Sequence, residues 1–576
     1  MARQRINLWI SAILVAGGLA NGAIYGSSPV EELTKVLPDN LLFVAATSGG
    51  DSLKADFEKA MLGQIWNDPS VQAFCQQVCK ELMAKLQEAH GADEEAIKVI
   101  RTLLECVVLS RPMAIGVVQA PSGKEIPLSL FVIIDASDRK SDLEAVVGKI
   151  EAILGQDHLA DLQVGPSKMR GLKDNKEIPL YWGWQGNRLV FAANDPDGAA
   201  IRYLGQPRPA PADYLKKVPG HGDALMVYCA YGRLMDMVGD IVAKHAGEGE
   251  AKCFKAIMSE LGIAGMGALT VRAGFSGPDM VVDSYLHMPQ PRKGLLAAFR
   301  PIDTDMLRMV PQDVMSAGAC NYDLSTIFDV CMNAIKACSP DDLYPEVQKG
   351  LESVETQIQV KIRDGLIKGL AGPMVHYVIP AGRLQDAQMG GFVLIARLTD
   401  AGLFEKNMVA LGQFISSKAK GMFQTGSQTD DAGRTYYVWA IPPLALAQLM
   451  PTWSVVDGHA IIAFNTALCR LAVEQITSKD RPSVLDNVGY KKVAVSLPKG
   501  LLSLRYVDSQ TQFNTTVTQL QQAWPMLVMA ATQSGLRLPV VLPALGKYAA
   551  QMQPGLEYSY ADAEGFYSHY QGTCIE

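Results

Sequence analysis

Apolar and polar positions along this chain run through one order of elements and then through it again. RPMAIGVVQA and PLSLFVIIDASD read as adjacent strands over 112–120 and 127–136, followed by a helix over 140–154. YWGWQGNRLVFAAND then reads as a strand pair hinged at Gln185-Gly186-Asn187. The second pass gives strands over 373–380 and 391–399, a helix over 401–418, and TWSVVDGHAIIAFNT hinged at Asp457-Gly458-His459. In each hinge a glycine is free to take positive φ, as a short hairpin requires. Both passes begin earlier, with a strand and a helix (SLKADFEKAMLGQIW and LSTIFDVCMNAIKAC) and then a second helix over about 81–106 and about 341–369.

A proline before an apolar run recurs four times: Pro38 before NLLFVAAT, Pro219 before DALMVYCAYG, Pro311 before DVMSAGACNY and Pro498 before GLLSLRYVDS. Proline suits a strand entry because its missing N–H is harmless there and its ring fixes the approach. The steps between these prolines are 181, 92 and 187 residues, so Pro38 to Pro311 spans 273 and Pro219 to Pro498 spans 279. One unit of about 275 residues, with a long and a short part, present in tandem accounts for this spacing.

The short parts carry hairpins at Gly277-Pro278-Asp279 and Ala563-Glu564-Gly565. Hairpins throughout predict an α+β fold of tandem duplicated modules, with antiparallel sheets and helices packed on one face. The boundaries expected are a leader or anchor over 1–26, long modules over 27–217 and 310–496, and short modules over 218–309 and 497–576. Gln206 to Ala212, with alternating prolines, reads as an extended linker. Asp135 and Asp400, each closing a strand before a helix, read as helix caps.

The first residues place Arg3 and Arg5 before an apolar run from Ile6 to Tyr25 that ends in small residues. This is a secretory signal pattern, and a run of that length can also span a bilayer once. The expected location is therefore exported, periplasmic or extracellular, with residues 6–25 either cleaved or retained as an inner-membrane anchor. No membrane contact is expected beyond that segment. Net charge is −7, and removal of Arg3 and Arg5 takes it to −9. With Lys and Arg scattered, the chain lacks the footprint of a nucleic-acid binder. Ten cysteines in an exported chain allow disulfides. Cys75 and Cys79 share a helix that a bridge to Cys106 could tie down, or they are buried thiols. Cys331 and Cys338 are too far apart to pair within one regular helix.

This order of elements resembles a family of uncharacterised exported bacterial proteins grouped only as a domain of unknown function. The matching stretches are Pro38 to Gly63, Tyr181 to Leu204 and Trp453 to Ala472. The resemblance implies export and a repeated architecture, and it supplies no catalytic residues.

Reactive residues form no recognisable set. No two of the eight histidines are three or four apart, as a helical zinc site would need. His221 beside Asp223 and His459 beside Asp457 read as solvated or turn-bonded imidazoles. Gly262 to Gly267 precedes a strand, whereas a phosphate cradle follows one. Ser417-Lys418-Ala419-Lys420 has the spelling of a serine–lysine motif without its companions, and reads as a helix end. Tyr181-Trp182-Gly183-Trp184, with equivalents in Tyr436 to Trp439 or in Trp453, offers an aromatic surface but reads as core packing. The 24 methionines read as filler of an irregular core, or as the lining of an apolar groove. No catalytic, cofactor-binding or metal-ligating residue is assigned. A non-catalytic binding or structural component of the envelope is expected, with a carrier of lipid or another apolar ligand as the alternative and a hydrolase with dispersed acids behind it.

Overall fold

The computed structural model describes residues 28–90, 110–119, 128–164, 167–173, 179–195, 198–204, 206–339, 341–370, 372–380, 391–419, 421–442, 450–478 and 480–573. The leader, Cys106 and residues 91–106 of the helix expected over about 81–106 lie outside the described residues. Helix α1 (Pro29–Thr34) opens on Ser28, whose hydroxyl accepts from Glu31 N. β1 (Leu41–Thr47) leads into α2 (Gly50–Lys59), α3 (Met61–Trp66) and α4 (Pro69–His90). β2 (Met113–Gln119), β3 (Leu128–Asp135) and α5 (Lys140–Leu154) come next. They are followed by β4 (Leu159–Val164), β5 (Ser167–Leu172), β6 (Leu180–Gln185) and β7 (Arg188–Ala193). β8 (Leu225–Cys229), α6 (Tyr231–His245), α7 (Glu248–Glu260), β9 (Leu269–Ser276) and β10 (Asp279–His287) complete the first half.

The second half repeats the plan. It starts with β11 (Ser316–Cys320), α8 (Leu324–Cys338), α9 (Leu343–Ile358), β12 (Met374–Ile379), β13 (Gly391–Arg397) and α10 (Ala401–Lys418). β14 (Gln424–Thr429), β15 (Thr435–Ala440), β16 (Thr452–Val456), β17 (His459–Ala463), α11 (Thr466–Thr477) and α12 (Val488–Val493) follow. The last elements are β18 (Leu501–Val507), α13 (Ser509–Gln533), β19 (Gly555–Ala561) and β20 (Gly565–Gly572).

Among the described residues, twenty strands form one antiparallel sheet within an α+β fold. The first ten lie in the order 4-5-6-7-3-2-1-8-9-10, and the second ten in the order 14-15-16-17-13-12-11-18-19-20. Adding ten to each strand number converts one order into the other. The halves join through their last strands: β10 pairs with β20 from Met280↔Gly572 to His287↔Gly565. The four proline-led entries deliver β1, β8, β11 and β18, the strands that pair β1 with β8 and β11 with β18. Long and short modules therefore share one sheet.

Strand periodicity assigns each residue to a face. On one face, Val44, Ala114, Ile133, Val190 and Tyr181 form a core with Val30 and Leu33 of α1. Val375, Tyr377, Ile395 and Ile461 form its counterpart with Leu468, Ala472 and Val473 of α11. On the other face, α5 packs Leu143, Val146 and Val147 on Ile134, Leu189 and Trp182, and α10 packs Phe404 near Leu398 and Ala460. The expectation of a single helical face thus widens to two faces, because both sides of these strands are apolar. Helices also cross between the halves. Met61 of α3 packs with Tyr548 and Met552, and a disulfide joins Cys253 of α7 to Cys338 of α8.

Three local expectations need correction. The helix expected over 341–369 breaks at Gln359, which adopts a left-handed φ of 54° while the buried Glu355 carboxylate accepts from Ile362 N and Lys361 Nζ. Asp400 caps α10 through Leu403 N, but Asp135 instead binds Ser137 and pairs with Arg188. Gln206 to Ala212 is docked, since Arg208 donates to the Thr34 and Leu37 carbonyls and pairs with Asp39.

Candidate functional site

The seam between the halves carries buried charge. Asp283 of β10, fully buried, stands opposite Arg272 on β9 and His569 on β20. Its carboxylate takes ring nitrogens of His221 (2.8 Å) and His569 (2.7 Å) and the Tyr567 hydroxyl. Burial alone would push this carboxyl up, but the three hydrogen bonds outweigh it and hold it well below the usual carboxylate range. Arg272 turns to Asp223, donating through Nε (2.7 Å) and Nη2 (2.6 Å), and it also reaches Glu31 and the Val218 carbonyl. His221 is therefore a partner of a buried acid rather than a solvated imidazole. His459 accords with the turn reading, its Nδ1 lying 2.9 Å from the Asp457 carbonyl oxygen, and burial pushes its pKa down. These groups are mutually satisfied, so the seam is built as a structural network.

The aromatic positions separate into two roles. Tyr181 is buried on the α1 face with its hydroxyl on Asp195 (2.7 Å), and Trp182 is buried under α5. The hairpin registers Trp182↔Phe191 and Trp453↔Ile462 make Trp453 the counterpart of Trp182. The neighbouring registers Arg170↔Trp182 and Tyr437↔Trp453 make Tyr437 the counterpart of Arg170. Asp161↔Arg170 and Ser427↔Tyr437 likewise match Ser427 to Asp161. On the covering helices, the burial patterns align Leu143 with Phe404 and Val146 with Asn407, which sets Gly412 where Glu151 stands.

In the first half this position is filled by charge. Glu151 accepts the Trp182 Nε1–H (2.9 Å), and Arg170 pairs with Asp161 (2.7 Å) and approaches Glu151 (3.9 Å). In the second half Gly412, Tyr437 and Ser427 supply no charge, and a cleft of about 200 Å³ opens between α10 and β14–β16. Tyr437 stacks on Trp453 with ring centroids 4.1 Å apart, and its hydroxyl donates to Glu405 (3.0 Å). Burial and that carboxylate push the Tyr437 phenol up to about 12. A side chain at Gly412 would crowd Trp439 Nε1 (3.2 Å) and Thr425 Cγ2 (3.1 Å), so glycine keeps the space in front of Trp439 open. Trp453 is 3% exposed, and its Nε1–H has no hydrogen-bond partner. A buried donor left unpaired costs about 1–3 kcal/mol, so Trp453 marks a site that lacks an acceptor.

The remaining singled-out residues take structural roles. Gly262 to Gly267 forms the entry to β9, where a Cβ on Gly262 would strike the Lys293 carbonyl. Ser417 donates to the Phe414 carbonyl at the end of α10, and Lys418 lies over the Phe414 ring. Met61, Met113, Met169 and Met226 are core filler, whereas Met526 and Met529 are exposed. Cys75 and Cys79 are free thiols, as is the exposed Cys331. Burial pushes the Cys320 thiol up to about 11 and that of Cys469 up to about 12, which leaves both inert as nucleophiles. Among the described residues, no group of three metal-binding side chains occurs and no helix is long and apolar enough to cross a membrane.

Comparison with family models and with curated proteins returns no match. Three crystal forms of TP0453 are similar in part. Form I shares 14% identity over 46% of this chain and 78% of its own, and form IV 12% over 48% and 81%. Form III shares 12% over 46% and 77%, and all three have a TM-score of 0.21. A likeness at that level carries no weight for fold or function.

Proposed function

We propose that this chain is an exported, non-catalytic binding component of the cell envelope, built by tandem duplication, with its binding face in the second half. One observation carries the binding reading: the position filled by Glu151, Arg170 and Asp161 in the first half is a neutral aromatic cleft in the second. Between the two halves this difference removes three charges and leaves one indole N–H unpaired. The Arg3–Tyr25 signal pattern and the Cys253–Cys338 disulfide support export, since such bonds persist in oxidising compartments.

Hydrogen exchange on the full chain, with and without a soluble extract of the source cell envelope, tests the binding reading. Protection of α10 and β14–β16, with α5 and β4–β6 unchanged, is the expected outcome; equal exchange in both halves would remove it. Non-reducing peptide mapping of protein taken from its own cells tests export. The expected product links Cys253 to Cys338, and fully reduced thiols at both positions would count against an oxidising compartment.

A further inference from the structure

The second-half cleft is specified further by what lines it. Met408, Trp439, Trp453 and Tyr437 give aromatic and apolar walls, while Gln413, Thr425 and Ser427 give amide and hydroxyl groups. None of the lining residues is charged. A charged ligand would therefore enter without a counter-ion and lose its hydration unrepaid. An acyl chain would strip water from Gln413, Thr425, Ser427 and the Trp439 indole N–H and return no hydrogen bonds. A sugar ring answers both surfaces at once. Its C–H face packs on aromatic rings, and its edge hydroxyls both donate and accept. A volume of about 200 Å³ accommodates a compact ring rather than an extended chain.

Resting on the binding reading above, we infer that the cleft between α10 and β14–β16 binds a neutral carbohydrate ring. Trp439 and Met408 form its walls, and Gln413, Thr425 and Ser427 meet its hydroxyls. The first half cannot take the same ligand, because Arg170 with Glu151 and Asp161 occupies the equivalent space.

The test titrates the full-length chain with maltotriose, cellotriose and chitotriose, and separately with oleate, following tryptophan fluorescence and calorimetric heat. At least one neutral oligosaccharide should give a saturable response. G412E, which restores the first-half carboxylate, should weaken it about tenfold or more. Because a side chain at 412 meets Thr425 and Trp439 closely, W439A, which opens space, is run in parallel with the same expected loss. Circular dichroism establishes that each variant is folded. Oleate binding with no response to any of the three sugars up to about 10 mM overturns the carbohydrate class but leaves a binding cleft in place. Sugar binding unchanged in both variants overturns the site. No response to any probe, together with unchanged hydrogen exchange in envelope extract, removes the binding reading as well.

Discussion

Two residues with the same backbone register, Trp182 and Trp453, show how a side-chain change decides the use of a position. Both indoles are buried, and only one has its N–H satisfied. The seam shows the opposite case, in which Asp283 and Arg272 each have several partners and each removal weakens a buried network. Replacing Asp223 by Asn keeps a residue that tolerates its φ of 54° but takes the charge from buried Arg272. The expected loss is about 2–3 kcal/mol in urea unfolding, because Arg272 loses its two bonds to a buried carboxylate and keeps only the partly exposed Glu31 as counter-ion. Asp283 makes a pH prediction. Its folded pKa is depressed, so its stabilisation is fully present above the unfolded carboxylate value of about 4 and is lost as pH falls through the folded value. D283N should therefore cost about 2–3 kcal/mol at pH 7, and the gap to the parent chain should narrow in unfolding series run below pH ~4.

At the scale of elements, hairpins and helices were legible wherever local chemistry forces them. The hinges at Gly186 and Gly458 form at positive φ, and helices 140–154 and 401–418 stand at the predicted bounds. The break at Gln359 was not legible, because it depends on where the Glu355 carboxylate lies after folding. The cysteine pairing was missed for a related reason. Cys253 and Cys338 are 85 residues apart and meet only because α7 and α8, from different halves, pack together. C253S should lower stability by about 3–5 kcal/mol in non-reducing denaturant melts, the range expected for a loop of that length. It should also raise the hydrogen-exchange rate of α7 and the C-terminal turn of α8 ahead of the sheet.

For the whole molecule, the decisive interaction is the β10–β20 ladder, which turns two ten-strand arrays into one sheet. Proline in the middle of a paired strand removes a ladder hydrogen bond and clashes with its neighbour. S568P, opposite Ser284, should therefore cost about 1–3 kcal/mol and produce separate unfolding transitions for the two halves in calorimetry. A single unchanged transition would show that the cross-packed helices, rather than the ladder, hold the halves together. The repeated element order was visible in the spacing of four prolines. That those prolines open the adjoining strand pairs β1–β8 and β11–β18 became visible only with the sheet.

The sequence by itself determined the α+β character, the order of strands and helices, and the hairpin turns. Period-two and helical apolar patterns, glycine at positive φ and proline at strand entries are all local properties of the chain. Tertiary structure alone decided which strands are neighbours, that both faces of the sheet carry helices, and that Asp283 gathers His221 with His569 from opposite halves. It also decided the cleft. Along the chain Tyr437 and Trp453 stand out only as aromatic positions that read as core, and Gly412 and Ser427 not at all; the four acquire meaning together when register sets them against Glu151, Arg170, Asp161 and Trp182. Contacts between residues far apart in the chain depend on pairing and packing, which no local pattern encodes.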